Sequence, residues 1–296
     1  MIPILDILLD SLVRGAFYIL VSASLALLFG IISVASFMQG DLAMLGGYVA
    51  FFALTAAGLN PILAIVVTGG VMFLVGAFME GSLFRPLRRI SGKLWMFNTF
   101  VLTLGISLLL QNGAQAAFGS AFMGVQYLWP GTTDVLGSSI SNDRLIMLFL
   151  SVAIMVFLWA FLKFTKHGRA IRAVGMNEGA VPLFGVNVNM IYMLTFGITG
   201  LLAGIGGAFY MALYTTYPLM GVTANLKAWT VVLIAGLGNV KGAVFCSFLL
   251  AFIETVATYY LASGWPNVAG VIIVILVLLF KPTGLFGTEV KGIWEK

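Results

Sequence analysis

Charge is what this chain has least of. Asp, Glu, Lys and Arg make up 8% of its 296 residues while 61% are apolar, and a soluble globular protein carries about 25% charged residues. That scarcity excludes an ordinary soluble surface. Cysteine occurs once, at Cys246 inside an apolar run, which excludes an intrachain disulfide and reads as a small buried hydrophobe. Histidine also occurs once. His167 stands in a basic stretch with no carboxylate cluster near it, which argues against a metal site or general base. No arrangement for nucleophilic or acid–base catalysis emerges, so neither an enzyme nor a cofactor is expected. The opening MIPILDILLDSLVRG lacks the basic start of a secretory signal, because Asp6 and Asp10 stand where positive charge belongs. The net charge of +5 marks one face of a membrane protein and does not point to nucleic acid.

Long uncharged runs fill the space. There are 38 residues without a charge between Asp41 and Glu80, and 48 between Glu178 and Lys227. A helix of 38 residues would be about 57 Å long, well beyond the roughly 30 Å hydrocarbon core. Each run therefore holds a turn and more than one span, or a span plus a re-entrant segment. Candidate spans are 11–30, 37–57, 61–83, 94–118, 144–164, 189–213, 241–262 and 266–280. The short segment 226–238 is either a full helix begun near Tyr217 and Pro218, or a broken or re-entrant one. The class is all-α and polytopic, a single transmembrane domain over 1–296. Its 35 glycines suit helices that pack closely in a bilayer.

Basic residues orient the spans. Arg85, Arg88, Arg89 and Lys93 fill one short loop, Lys163, Lys166, Arg169 and Arg172 another, and Lys281, Lys291 and Lys296 the tail. The positive-inside rule places all three in the cytoplasm. The segment 119–143, with Asp134, Asp143, Tyr127 and Trp129, then faces out, as does the amino terminus. To keep the basic tail inside, 226–238 is read as re-entering from the outer side. The expectation is eight spans plus a re-entrant or half helix, with Lys241 a lone outer charge.

Six features bear on function. The stretch 163–188, KFTKHGRAIRAVGMNEGAVPLFGVNV, repeats basic residues at helical spacing at Lys166, Arg169 and Arg172. A second short helix fits Asn177–Phe184, with Asn177 as N-cap, Pro182 limiting extension and Gly185 as C-cap. Apolar side chains held out in the cytoplasm suit a docking surface. The run Ser36-Phe37-Met38-Gln39-Gly40-Asp41 places a carboxylate and an amide between apolar segments, so Gln39 and Asp41 are candidate path-lining groups. Glu254, nearly central in 241–262, is a third candidate. Gly200, Gly204 and Ala208 form a small-residue stripe that reads as helix packing. Glu80, near Arg85, reads as an interfacial ion pair. The glycines of 235–243 follow no strand, so they form no nucleotide loop.

Four blocks together carry a resemblance: TKHGRAIRAVGMNEGAVPLFGVNVN at 165–189, FG…GD…MLGGYVAFF at 29–52, AGLGNVKGAVFCSFLLAFIE at 235–254 and KPTGLFG at 281–287. The chain resembles, over nearly its whole length, the LivH-type permease subunit of branched-chain amino acid ABC importers. The resemblance implies that 163–188 is the coupling loop of a cytoplasmic ATPase, carried here by Lys166, Gly168, Arg169, Arg172, Asn177, Glu178 and Gly185. It also implies a second permease subunit, of the LivM type or a copy of this chain, and a periplasmic solute-binding protein. The implied setting is the bilayer of the bacterial inner membrane. Relatives usually read Asn-Phe-Ala-His-Gly where this chain has Ser36-Phe37-Met38-Gln39-Gly40, so the solute can range over branched-chain and other amino acids, short amides or urea. The rival reading is an ion-coupled secondary transporter, for which only Asp41 and Glu254 could serve as intramembrane sites.

Overall fold

Where an uncharged run exceeds the thickness of a bilayer, a backbone break cuts it, and the pieces assemble as one helical bundle. The computed structural model describes residues 3–125, 128–135, 138–261 and 264–287. Tyr127, Lys291 and Lys296, assigned above to the outer interface and the basic tail, lie outside the described residues. The helices are α1 Pro3–Ile32, α2 Gln39–Thr55, α3 Pro61–Met79, α4 Arg85–Ile90, α5 Trp95–Phe118, α6 Asn142–Phe164, α7 Lys166–Met176, α8 Val188–Leu213, α9 Met220–Ala235, α10 Val240–Tyr260 and α11 Trp265–Phe280. A π turn at Glu80–Phe84 joins α3 to α4, and a small antiparallel hairpin, β1 Thr132–Val135 and β2 Ser138–Ser141, precedes α6. Six helical stretches are long and apolar enough to cross a membrane, and α9 and α11 are shorter apolar helices.

The first helix sits in the middle, although lack of charge does not single it out: after Arg14 α1 carries none, and neither do α3 and α11. Leu20, Ala23, Leu25 and Ala26 are fully buried, and α1 packs against α6, α8, α9 and α10. By contrast α5 and α6 leave Leu108, Leu109, Phe149 and Phe157 exposed, as suits lipid or a neighbouring subunit. The small-residue stripe on α8 does pack. A side chain on Gly200 would meet the Met72 carbonyl of α3, one on Gly204 would meet the Met72 side chain, and Ala208 is buried.

The two ends of the bundle differ in charge. At one end Asp10 accepts from Arg144 at 2.7 Å and from the Tyr259 hydroxyl at 3.0 Å, and Asp6 pairs with Ser138. There Asp143 accepts the backbone N–H groups of Leu128 and Trp129, which folds the preceding loop onto the start of α6. At the other end lie α4, α7 and the segment after α11. Gly175 of α7 rests on the Gly30 carbonyl of α1, and Gly30 in turn meets Gly238.

This arrangement corrects the reading of 226–238. The helix begins at Met220, six residues earlier than that segment, and its terminal Gly236 packs on Gly284 and Gly287 at the basic end. Lys241 follows there and lines one groove with Lys163, Arg169 and Arg172, so it is not an outer charge. The residues after α11 return to the same end, with Leu285 N donating to Ile234 O and Phe286 N to Ala235 O. Re-entry from the acidic side is therefore not what this segment does. Parity gives the reason: a chain that starts at one end and finishes at the other makes an odd number of passes, and eight spans would return it to its starting side.

Candidate functional site

The deepest polar feature lies where α2 and α9 begin. A non-helical stretch, 33–38, separates the end of α1 from Gln39, where α2 opens, and 214–219 separates α8 from Met220, where α9 opens. The two starts touch, because a side chain on Gly40 would collide with the Gly221 carbonyl and the Asn225 backbone. Only glycine allows that approach. Asn225 Nδ2 donates to Phe37 O at 2.8 Å, Trp229 Nε1 donates to Ser36 O at 3.2 Å, and the Phe37 ring stacks on Trp229.

Neither helix start is capped by a side chain. Their first N–H groups thus lack the usual partner, and both helix dipoles direct positive charge at the junction. Around it, Gln39 and Asp41 are buried as the sequence suggested. Gln111 Nε2 of α5 donates to Asp41 Oδ1 and to Ser107 Oγ, each at 3.0 Å. Among the described residues, seven buried polar atoms without partners lie on these two segments: Ser36 Oγ, both amide atoms of Gln39, Asp41 Oδ2, Tyr48 OH, Thr216 Oγ1 and Asn225 Oδ1. An orphaned buried polar atom costs about 1–3 kcal/mol, so such a cluster marks a functional lining more readily than a packing accident. Sequence reasoning missed Gln111, Asn225 and Thr216. Nothing in their local sequence marks them, and only folding brings Gln111 to Asp41, Asn225 to Gly40 and Thr216 to Gly47.

Glu254 is buried, but it is not free. Its carboxylate meets Lys227 Nζ at 2.5 Å and accepts from Tyr18 OH at 2.6 Å, while Lys227 also donates to Asn267 Oδ1 at 2.7 Å. The group ties α1, α9, α10 and α11 together, and its hydrogen bonds run to Tyr18, Lys227 and Asn267 rather than to Gln39 or Asp41. Glu80 pairs with Arg88 at 2.5 Å, one helical turn beyond the Arg85 suggested by sequence, and the Arg88 guanidinium covers the Tyr192 ring at 4.1 Å.

The basic stretch builds a projection at the bundle end. Thr165 caps α7, its hydroxyl accepting from Gly168 N at 2.9 Å. Gly168, Ile171 and Val174 face inward, whereas Lys166, Arg169, Arg172, Asn177 and Glu178 are exposed. Asn177 Oδ1 accepts from Ala180 N at 3.1 Å, and Gly185 closes the segment in the left-handed region at φ 76°. The proposed second helix is only a 3-10 turn, Val181–Phe184. Across α7 and that turn, Met176, Leu183 and Phe184 are 82–88% exposed and form an apolar edge that no described residue covers.

The profile of a family described as "Branched-chain amino acid transport system / permease component" matches residues 7–281. The chain is 27% identical over 287 residues to the high-affinity branched-chain amino acid transport system permease protein LivH of Salmonella typhimurium, covering 92% of each. It is 28% identical over 294 residues to the corresponding permease BraD of Pseudomonas aeruginosa, covering 95% of this chain and 94% of that one. Similarity to the ribose import permease RbsC of Escherichia coli, 28% over 173 residues, covers 54% of this chain and 52% of RbsC. No solved structure matches.

Proposed function

The chain belongs to the family of branched-chain amino acid transport system permease components, and on that premise we propose how it couples ATP to amino acid movement. It is the permease subunit of an importer in the inner membrane, a multi-pass transport component rather than an enzyme. The match over residues 7–281 carries this reading. The finer assignments rest on geometry. Nine passes join the two ends, with α2 and α9 each completing a pass together with its non-helical lead-in. The α2–α9 junction is the solute path. A branched-chain amino acid presents a carboxylate, an ammonium and an apolar side chain. Uncapped helix starts suit the carboxylate, Asp41 suits the ammonium, and the Phe37 and Trp229 rings suit the apolar part. Contact there is brief, since a path that holds its cargo tightly releases it slowly.

Residues 163–188 form the coupling segment. Met176, Leu183 and Phe184 enter a cleft of a cytoplasmic ATPase, with Lys166, Gly168, Arg169, Arg172, Asn177, Glu178 and Gly185 shaping and flanking that edge. A second permease subunit and a periplasmic binding protein complete the importer. The pairing of Glu254 with Lys227 weighs against an ion-coupled mechanism, because it removes one of the two carboxylates such a mechanism would use. The test is the paired variant Leu183→Ser/Phe184→Ser. ATPase recovered with the permease should fall several-fold, with the amount of permease in the membrane unchanged. Unchanged ATPase recovery together with unchanged uptake would overturn the assignment. For the path, Asn225→Ala should lower the maximal uptake rate in the reconstituted importer while ATPase recovery stays at the parental level.

A further inference from the structure

A groove of about 1190 Å³ runs along one side of α1, between α6 and α10, and opens at the basic end. It stands apart from the α2–α9 junction, and of the exposed apolar edge it takes in only Met176. Its mouth is set with Lys163, Arg169, Arg172 and Lys241, which come from three different elements. Its inner walls are apolar, with Ile19 and Leu27 on α1, Val156 on α6 and Phe248 on α10. Among the described residues the ion pairs are Arg88–Glu80, Arg144–Asp10 and Lys227–Glu254, so no carboxylate neutralises the four cations at the mouth. Lys163 Nζ lies over the Trp159 ring at 4.7 Å, which holds one of these charges at the groove edge.

The dimensions suit one leaflet. The α1 wall runs from Gly30 at the mouth to Ile19, and the α6 wall from Lys163 to Val152. At 1.5 Å per residue each wall is about 16 Å deep, close to half of the roughly 30 Å hydrocarbon core. A cationic mouth above an apolar slot of that depth matches a molecule with an anionic head and long hydrocarbon chains. Basic pockets between helices on the cytoplasmic side select anionic lipid head groups by this same combination. A soluble anion would leave the slot unfilled, and an apolar helix of another subunit would leave four cations unpaired.

We propose that this groove binds an anionic phospholipid of the inner leaflet, its phosphate held by Lys163, Arg169, Arg172 and Lys241 and an acyl chain lying along α1. Because α7 supplies two of the four cations, the lipid would also brace the coupling segment against the bundle. The test uses the assembled importer in nanodiscs of phosphatidylcholine, with or without phosphatidylglycerol, followed by native mass spectrometry of the released complex. Phosphatidylglycerol should stay bound where phosphatidylcholine is lost. The variant Lys163→Gln/Lys241→Gln, at exposed positions outside the coupling edge, should reduce that retention on the order of tenfold. Val156→Trp, which fills the slot, should reduce it as well with the cations intact. Equal retention of the two lipids, or full retention by both variants, would overturn the proposal. So would a disulfide cross-link from Val156→Cys to a cysteine placed in the second permease subunit, since a protein helix would then occupy the groove.

Discussion

At the residue scale, the sequence marks which side chains are costly and the structure shows what compensates each. Glu254 stands out in sequence as a carboxylate deep in an apolar run. Its partner Lys227 is 27 positions away on another helix, and no local periodicity links them. In the structure the paired Glu254 ties helices together. Removing one member of a buried ion pair typically costs about 3–5 kcal/mol, because the other charge is stranded. Lys227→Met should therefore lower the thermal unfolding midpoint of the purified chain markedly, and adding Glu254→Leu should restore part of the loss. If the single and double variants melted together at the parental temperature, the pair would carry no structural weight. Gln39 and Asp41 behave differently. They stay buried with unpaired atoms, which is why the proposed solute path is drawn through them and not through Glu254.

At the element scale, the basic stretch is the most legible part of the chain. Helical spacing of Lys166, Arg169 and Arg172 anticipates α7, and the caps at Asn177 and Gly185 hold. The second helix fails for a physical reason. Only seven residues lie between Asn177 and Gly185, Gly179 and Pro182 interrupt them, and so short a segment cannot offset the cost of helix nucleation. What the sequence could not show is the seat of α7 on α1 through Gly175 and Gly30. That contact should transmit movement of the coupling segment to the central helix. Gly175→Val, which would press on the Gly30 carbonyl, should leave ATPase recovery near the parental level while uptake per ATP hydrolysed falls. Parental transport stoichiometry would show that the contact transmits nothing.

At the scale of the whole molecule, the question is which side each segment occupies. Charge alone orients the clustered loops but leaves Lys241 ambiguous. Packing of Gly238 on Gly30, and the groove Lys241 shares with Lys163, place it at the basic end. Cys246 is buried, so it contributes little background to thiol labelling. In oriented vesicles, Lys241→Cys and His167→Cys should react from the cytoplasmic face, and Asp134→Cys from the opposite face. Labelling of Lys241→Cys together with Asp134→Cys would restore the re-entrant arrangement.

The sequence by itself determined the class of this protein. Scarce charge, uncharged runs too long for single helices and clustered cations are properties of the chain as written, and they suffice for an all-α membrane protein with basic segments at one end. Tertiary structure alone decided the direction of α9, the partner of Glu254, the junction of α2 with α9 and the groove beside α1. Each of these depends on residues far apart in the chain that meet only after packing. Hydropathy and charge along a sequence report how a segment prefers to be solvated, and they do not report which other segment lies beside it.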